Sequence, residues 1–393
     1  MMTAGQCLDI ALVIEYIGPG EGQGRVAFEL ARRWALRHRV TVYCYDAAQE
    51  LFAAVNVHRL RPRVRHNVAR GALVPFHSAA ALLGKRHDII LANGGNCLLA
   101  NFALFHTCHP LRLQTWDLVA AERGSPLTPR ERANMLVRKN LFVRLEGRTL
   151  RRCRGRAYAV SPRLRQDLAH HHNVPESDIL VASNGVDTGH FNPAVKRFRQ
   201  EVRSETGIPE SALVALFIGG IWWEKGLHIA LQAVAQARSF WHLLILGHDD
   251  DMPAFVKLAQ DLGIGGRVHF LGRTDRPERF YGAADCLVLP SAFEGSPLVA
   301  LEAAACGLPV LISRQGHPGE LIDERTGYVL DRQPKAFASA LDELAASESA
   351  RRAMGEAAAS AAREFTWDRQ AKILERGFLE FAAQASAKRT ALV

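Results

Sequence analysis

Only seven of the 393 residues are cysteine, and no two of them form a Cys-x-x-Cys pair. An odd count without pairing argues for reduced thiols, the condition of the cytosol, rather than a disulfide framework. No apolar run reaches the roughly 18–20 residues that a bilayer-spanning helix requires. Residues 1–9 lack a basic head and a small-residue cleavage site, so 10–14 is expected to be a buried strand rather than part of a signal sequence. Short repeats and low-complexity tracts are absent. The cluster His106-Thr107-Cys108-His109 has no second ligand pair at zinc spacing, so no metal is expected there.

The chain is 48% hydrophobic and 23% charged, a globular composition whose length suggests two domains. The net charge of +9 is unevenly spread. Through Val186 there are 26 Lys/Arg against 14 Asp/Glu, and beyond it 23 against 26, so the first half is the one suited to an anionic partner. No nucleic-acid recognition motif accompanies that charge, and nucleic acid is not expected as a partner.

Short β-branched or apolar runs at 8–14, 39–45, 88–92, 101–105 and 156–160 alternate with helical patterns at 24–36 and 129–153. The rhythm restarts at 212–218 and continues through strands at 243–246, 268–271, 286–289 and 309–312, with helices from Gly226, Pro253, Pro277 and Pro297. Repeated strand–helix units imply an α/β protein with two doubly wound, Rossmann-like parallel sheets. The expected division is 1–186, 187–370 and a C-terminal helix, 371–393, packing back towards the first domain. In such sheets ligands lie beyond the carboxyl ends of the strands, so the loops after Ile14, Phe105, Ile218, Leu246, Leu271 and Leu289 are where chemistry belongs.

The first of these loops, Gly18-Pro19-Gly20-Glu21-Gly22-Gln23-Gly24-Arg25, suits either a tight turn or a phosphate at a helix N-terminus. It fits the dinucleotide fingerprint poorly, although Asp46 could serve such a site, which leaves a dehydrogenase as an alternative. The second half is more specific. Lys225, after Gly219-Gly220-Ile221-Trp222-Trp223-Glu224, is placed to neutralise a diphosphate. Glu294 falls in the loop after 286–289, and Glu302 lies in the helix that Ser296 is expected to cap and Pro297 to begin. Two carboxylates so placed can accept from two sets of hydroxyls on one extended ligand. The basic stretch 129–156 reads either as a helix that lies on anionic lipid or as a solvated helix packed on its own domain. His170-His171-His172 reads as an exposed loop.

Glu294 and Glu302 with Ala303-Ala304-Ala305-Cys306-Gly307-Leu308-Pro309-Val310 closely resemble the signature of family 4 retaining glycosyltransferases of the GT-B fold. So do Val160-Ser161, Ser183-Asn184-Gly185-Val186-Asp187, Lys225-Gly226, Val268-His269-Phe270-Leu271-Gly272 and Ala284-Asp285. Gly247-His248-Asp249-Asp250 and the segment 106–109 look most like the lipopolysaccharide-core glucosyltransferase branch.

The resemblance implies a donor site in which Glu302 holds the ribose, Glu294 the sugar and Lys225 the departing diphosphate. Main-chain N–H groups near Gly22 and at Leu298 and Val299 would assist, Gly220 would line the site, and Gly272 and Arg273 would hold the base. His106 would orient the sugar, with Lys225, Glu294 and His106 as the catalytic set. It further implies a nucleotide-sugar donor such as UDP-glucose and an anionic glycan or lipid-linked acceptor. The protein would act in the cytoplasm, at the inner membrane face, with no cofactor or metal. Gly220 stands where the family usually carries an arginine; either Arg25, Arg273 or Arg314 compensates, or the chain is slow or uses an atypical donor. A sugar-nucleotide epimerase or hydrolase, or a non-catalytic nucleotide-sugar binder, shares the same pattern.

Overall fold

The computed structural model describes residues 6–20, 22–62 and 67–390. The leader expectation for 1–5 and Glu21 of the glycine loop fall outside them. The chain divides into two compact units, one of residues 1–114, 126–185 and 367–393, the other of 115–125 and 186–366.

In the first unit seven parallel strands lie in the order Asn56–Arg59, Arg39–Cys44, Asp9–Val13, Ile89–Asn93, Phe102–Phe105, Ala157–Ala159 and Ile179–Val181. The order reverses between Asp9–Val13 and Ile89–Asn93, and the chain segments leaving those two strands diverge there. The central strands are buried on both faces, which is why they read as unbroken apolar runs. The C-terminal helix Trp367–Thr390 belongs to this unit. Its Phe378 meets Trp34 edge-on at 5.2 Å and Phe102 at 4.9 Å, and Trp34 Nε1 donates to the Ala371 carbonyl. Glu375, buried, accepts from Arg37 and contacts His38 at 2.9 Å.

The basic stretch is not one helix. Thr128 and Glu131 form a reciprocal capping box at the start of Pro129–Val137, a π-turn follows at Arg138–Phe142, and Val143–Arg152 completes the run. The π-turn shifts the helical face by one residue. Leu145, Glu146, Thr149 and Leu150 are buried, while Arg144, Arg148 and Arg151 are exposed. The histidine run is not a loop either. It is the last turn of the helix Pro162–His172, and His172 is drawn in against the buried Glu146 at 2.7 Å.

The second unit repeats the architecture with six parallel strands in the order Val268–Gly272, Trp241–Leu246, Leu213–Ile218, Cys286–Leu289, Val310–Ser313 and Gly327–Leu330. Here the reversal lies between Leu213–Ile218 and Cys286–Leu289. Apolar clusters fill both faces of this sheet. Ser296 does not cap the following helix. Leu298–Ala305 has Pro297 at its N-cap and no side-chain cap there, because the proline sits one position earlier than expected.

Asp285 shows what holds the helix Arg199–Thr206 to the sheet. Its carboxylate accepts from Arg203 and from the Val214 N–H, and its other oxygen accepts from Arg199. Arg203 is 1% exposed and donates further to the carbonyls of Ala283, Pro209, Glu210 and Ala212. Removing one partner of such a pair leaves a buried charge without compensation, at a cost of about 3–5 kcal/mol. Asp285→Ala is therefore expected to lower the urea unfolding midpoint by an amount corresponding to that loss. An unchanged midpoint would mean that the pair does not anchor the helix.

Candidate functional site

Two loops meet at the strand reversal of the second unit. One leaves Leu213–Ile218 through Gly219 and Gly220 into the short helix Trp222–Lys225; the other leaves Cys286–Leu289 through Pro290 and Ser291 to Glu294. They are laced by main chain. Ala292 N–H donates to the Glu224 carbonyl at 2.8 Å. Gly226, at φ +78°, crosses so close to Pro290 that a Cβ would lie 2.2 Å from its carbonyl oxygen, so only glycine fits. Gly247, at φ +119°, makes the equivalent approach to the Gly219 carbonyl from the neighbouring strand.

This lacing brings Lys225 and Glu294 together. Lys225 Nζ donates to Glu294 Oε1 at 2.6 Å, and Ser291 Oγ donates to the same oxygen at 2.8 Å. The lysine keeps about a quarter of its side chain exposed, while Glu294 is nearly buried. An ammonium held on a carboxylate at a strand reversal is poised to exchange that partner for a polyanion. Glu302 stands apart from the pair. It is 4% exposed, one turn into the helix Leu298–Ala305, and accepts from Tyr281 OH at 2.7 Å. The first N–H groups of that helix, at Leu298 and Val299, have no intrahelical acceptor. Gly272, at φ +72°, closes its strand and Arg273 after it is exposed.

The tryptophans beside Lys225 are structural. Trp222 is buried, packs on Phe255 at 5.4 Å and Phe270 at 5.7 Å, and donates Nε1–H to the Gly219 carbonyl. Trp223 packs at a tilt on His228 and Phe255 and donates to Asp251. The Asp249 carboxylate accepts the Trp222 N–H at 2.7 Å. Between these anchors Ile221 sits in the left-handed region at φ +52°, a strain of about 1–3 kcal/mol for a β-branched residue. At Gly220 a Cβ would meet only the His248 carbonyl, at 3.5 Å, so glycine there is not a steric requirement. Of the arginines named as stand-ins for the family residue, Arg314 is paired with Asp331 on the surface.

The first unit has its own site. A cavity of about 270 Å³ opens at its strand reversal, lined among others by Glu15, Arg70, Asn93, His106, Arg112 and Arg138. Glu15 follows the first strand and lies 3.5 Å from Arg70. Burial pushes the His106 imidazole down to about 3. His109 is also pushed down to about 3, by burial first and then by the charges of Arg138 and Arg112. Both rings are neutral at ordinary pH. Glu146, at the cavity floor, is pushed up by burial although His172 and the His109 N–H oppose the shift. Gly22, exposed, opens the helix Gly22–Trp34 of this unit. Cys108 is buried with its thiol pushed up, and among the described residues no group of three or more His, Cys, Asp and Glu could hold a metal.

Residues 198–361 match the model for glycosyl transferases group 1, and residues 20–190 match that for glycosyltransferase family 4. Each matched stretch is similar to a glycosyltransferase family, and together the two take in most of the chain. A D-inositol 3-phosphate glycosyltransferase from Corynebacterium urealyticum is 35% identical over 223 residues, 53% of this chain and 52% of that relative. The namesake from an Arthrobacter species is 35% identical over 232 residues, 56% of this chain and 54% of that relative. The chain thus spans about half the length of the curated relatives it matches. WaaG, a glycosyltransferase involved in lipopolysaccharide biosynthesis, aligns with a TM-score of 0.75 at 19% identity, covering 93% of this chain and 99% of that one. HepE from Anabaena, in complex with UDP-glucose, aligns at 0.67 and 17% identity, covering 94% and 99%. These likenesses show the GT-B fold. The curated relatives are named for an inositol phosphate rather than for a lipopolysaccharide core.

Sequence reasoning missed Tyr281, Ser291 and Arg332 in the second unit and Glu15, Arg70 and Arg112 in the first. Glu15 and Arg332 each lie one or two residues beyond a strand's carboxyl end, a signal that strand positions alone supply. The neutral state of His106 yields a stability test. Above pH about 6.5 the imidazole is uncharged in both folded and unfolded chains; below that, towards about 3, only the unfolded chain takes up the proton, so stability falls with pH. His106→Asn should lose less stability between pH 7 and pH 5 than the wild type in urea titrations. Equal losses would mean that the ring is protonated in the fold.

Proposed function

We propose that this protein transfers a hexose, glucose from UDP-glucose, onto an anionic glycan or lipid-linked acceptor such as a lipopolysaccharide core, with retention at the sugar carbon. The observation that carries the reading is the Lys225–Glu294 pair at the strand reversal of the second unit. In this reading the donor diphosphate takes over Lys225, whose charge stabilises the leaving group as the glycosidic bond breaks. Glu294, released from the lysine, accepts from the sugar hydroxyls, and the N–H groups of Leu298 and Val299 face the phosphates. Glu302 reaches the ribose, with Tyr281 orienting its carboxylate. Gly272 and Arg273 flank the base. Neutral His106 lines the first unit's own cavity, where it can accept from or donate to a hydroxyl without adding charge. No cofactor or metal takes part.

The acceptor side of the reading draws on the first unit's cavity, where Arg70, Arg112 and Arg138 outnumber Glu15 and Glu146. Its chemistry suits a phosphate or carboxylate on a polyol. The names of the curated relatives favour a second version, in which the acceptor is a small phosphorylated polyol. Arg144, Arg148 and Arg151 would lay the lipid-linked version on an anionic membrane in the cytoplasm; among the described residues no helix is long and apolar enough to cross one.

Calorimetry separates the two glutamates. Glu302→Ala should weaken free UDP and UDP-glucose alike, by about 1–3 kcal/mol for lost bonds to a charged acceptor. Glu294→Ala should weaken UDP-glucose much more than UDP. Wild-type affinities in both variants would refute the donor assignment. Sedimentation with vesicles decides between the acceptor versions. A membrane-borne acceptor predicts binding to anionic but not zwitterionic vesicles, released as the Debye length falls from ~10 Å at 0.1 M salt to ~3 Å at 1 M. Reversing the charges of Arg144, Arg148 and Arg151 should abolish it while UDP affinity stays. No vesicle binding would leave the soluble phosphorylated polyol.

A further inference from the structure

Arg332 lies two residues beyond the last strand of the second unit, Gly327–Leu330, and is almost wholly buried. Its guanidinium does not face a ligand loop from outside; it binds both loops of the donor site from beneath. Nε donates to the Pro290 carbonyl at 2.9 Å, and Nη2 donates to the Trp223 carbonyl at 3.3 Å. Pro290 begins the segment that carries Ser291 and Glu294, and Trp223 lies two residues before Lys225. The remaining terminal nitrogen, Nη1, donates to Glu122. That carboxylate also stands 3.2 Å from His228, whose ring packs at a tilt on Trp223. Burial works against the Glu122 charge, yet His228 and the Arg332 guanidinium hold its carboxyl below the usual carboxylate range.

A single rigid fork thus fixes the spacing of two loops that strand geometry alone leaves free. Main-chain lacing through Ala292 and Gly226 prevents the loops from separating, but it does not fix their rotation about the crossing. The strained Ile221 shows that the first loop is held against its local preference. The planar fork holds two carbonyls and a carboxylate in fixed relative directions through three separate nitrogens, which the single freely rotating ammonium of a lysine cannot reproduce.

We infer that Arg332, neutralised by Glu122, is a positioning residue that sets Lys225 and Glu294 at the separation a nucleotide-sugar diphosphate requires. This rests on the reading of those two residues as the donor contacts. The hydrogen bonds of the fork go to protein groups: the Pro290 and Trp223 carbonyls and the Glu122 carboxylate. The effect of the fork on binding passes through Lys225, so losing it should matter only where Lys225 is present.

A double-mutant cycle tests this, read as UDP affinity by calorimetry and as turnover with UDP-glucose. Displacing a reacting group by about 1 Å can cost on the order of 100-fold, so Arg332→Gln is expected to lower UDP affinity about 10-fold and turnover more. In the Lys225→Ala background the same change should lower UDP affinity by less than about twofold, because residues that act through one another are not additive. Glu122→Gln should show the same dependence on Lys225, and Arg332→Lys should recover only part of the loss. A purely structural arginine would give equal fold-losses in both backgrounds, and that result, or unchanged affinity in Arg332→Gln, overturns the inference. Should Arg332→Gln fail to fold, Glu122→Gln and Arg332→Lys in the two backgrounds carry the same comparison. A wild type that binds neither UDP nor any sugar nucleotide defeats the donor reading itself, a result distinct from additivity.

Discussion

The candidate site of the second unit depends on the crossing of two loops at the Pro290 carbonyl. Gly226 passes within contact of that oxygen, Arg332 donates to it, and Ala292 two residues on is bound to the Glu224 carbonyl. The parallel sheet creates the gap by reversing strand order between Leu213–Ile218 and Cys286–Leu289, and the crossing closes it again at one height. Lys225 and Glu294 are held together because their loops are. A side chain at position 226 would push the loops apart and separate the pair.

Charge within this arrangement is balanced locally. Lys225 rests on Glu294, Arg332 on Glu122, and Arg203 on Asp285. Only the first of these pairs keeps a substantially exposed cation, which makes it the one suited to accept an anion from solution. The first unit uses the opposite device at its own reversal. There burial keeps His106 and His109 neutral, while arginines supply the positive charge of the cavity wall.

The two parallel sheets were legible in the sequence because their central strands are buried on both faces and read as continuous apolar runs. Of the four edge strands, Val268–Gly272 was legible and the other three were not. Asn56–Arg59 is polar, Ile179–Val181 has three residues, and Gly327–Leu330 opens on a glycine, so each lacks the run that marks a buried strand. The helix Asn67–Leu82 escaped notice because it contains Gly71 and Pro75, and the π-turn at Arg138–Phe142 because helical periodicity conceals a one-residue insertion. Lys225, Glu294 and Glu302 were legible as motif residues, but their partners were not. Tyr281 and Arg332 reach the site from elements distant in sequence, and no spacing rule connects them to it. The paired tryptophans had no evident role until Phe255, Phe270 and His228 were seen packed around them.

The proposed donor site is the strand reversal of the second unit, between Leu213–Ile218 and Cys286–Leu289. Hydrogen exchange of the intact protein, with and without saturating UDP-glucose, tests it residue by residue. The account predicts slowed exchange at the amides of 219–226 and 291–302, where the loops cross and the helix Leu298–Ala305 begins, with the edge strand Asn56–Arg59 unaffected. Protection confined to the cavity segments around 93–96 and 106–112, or no protection anywhere, would contradict it.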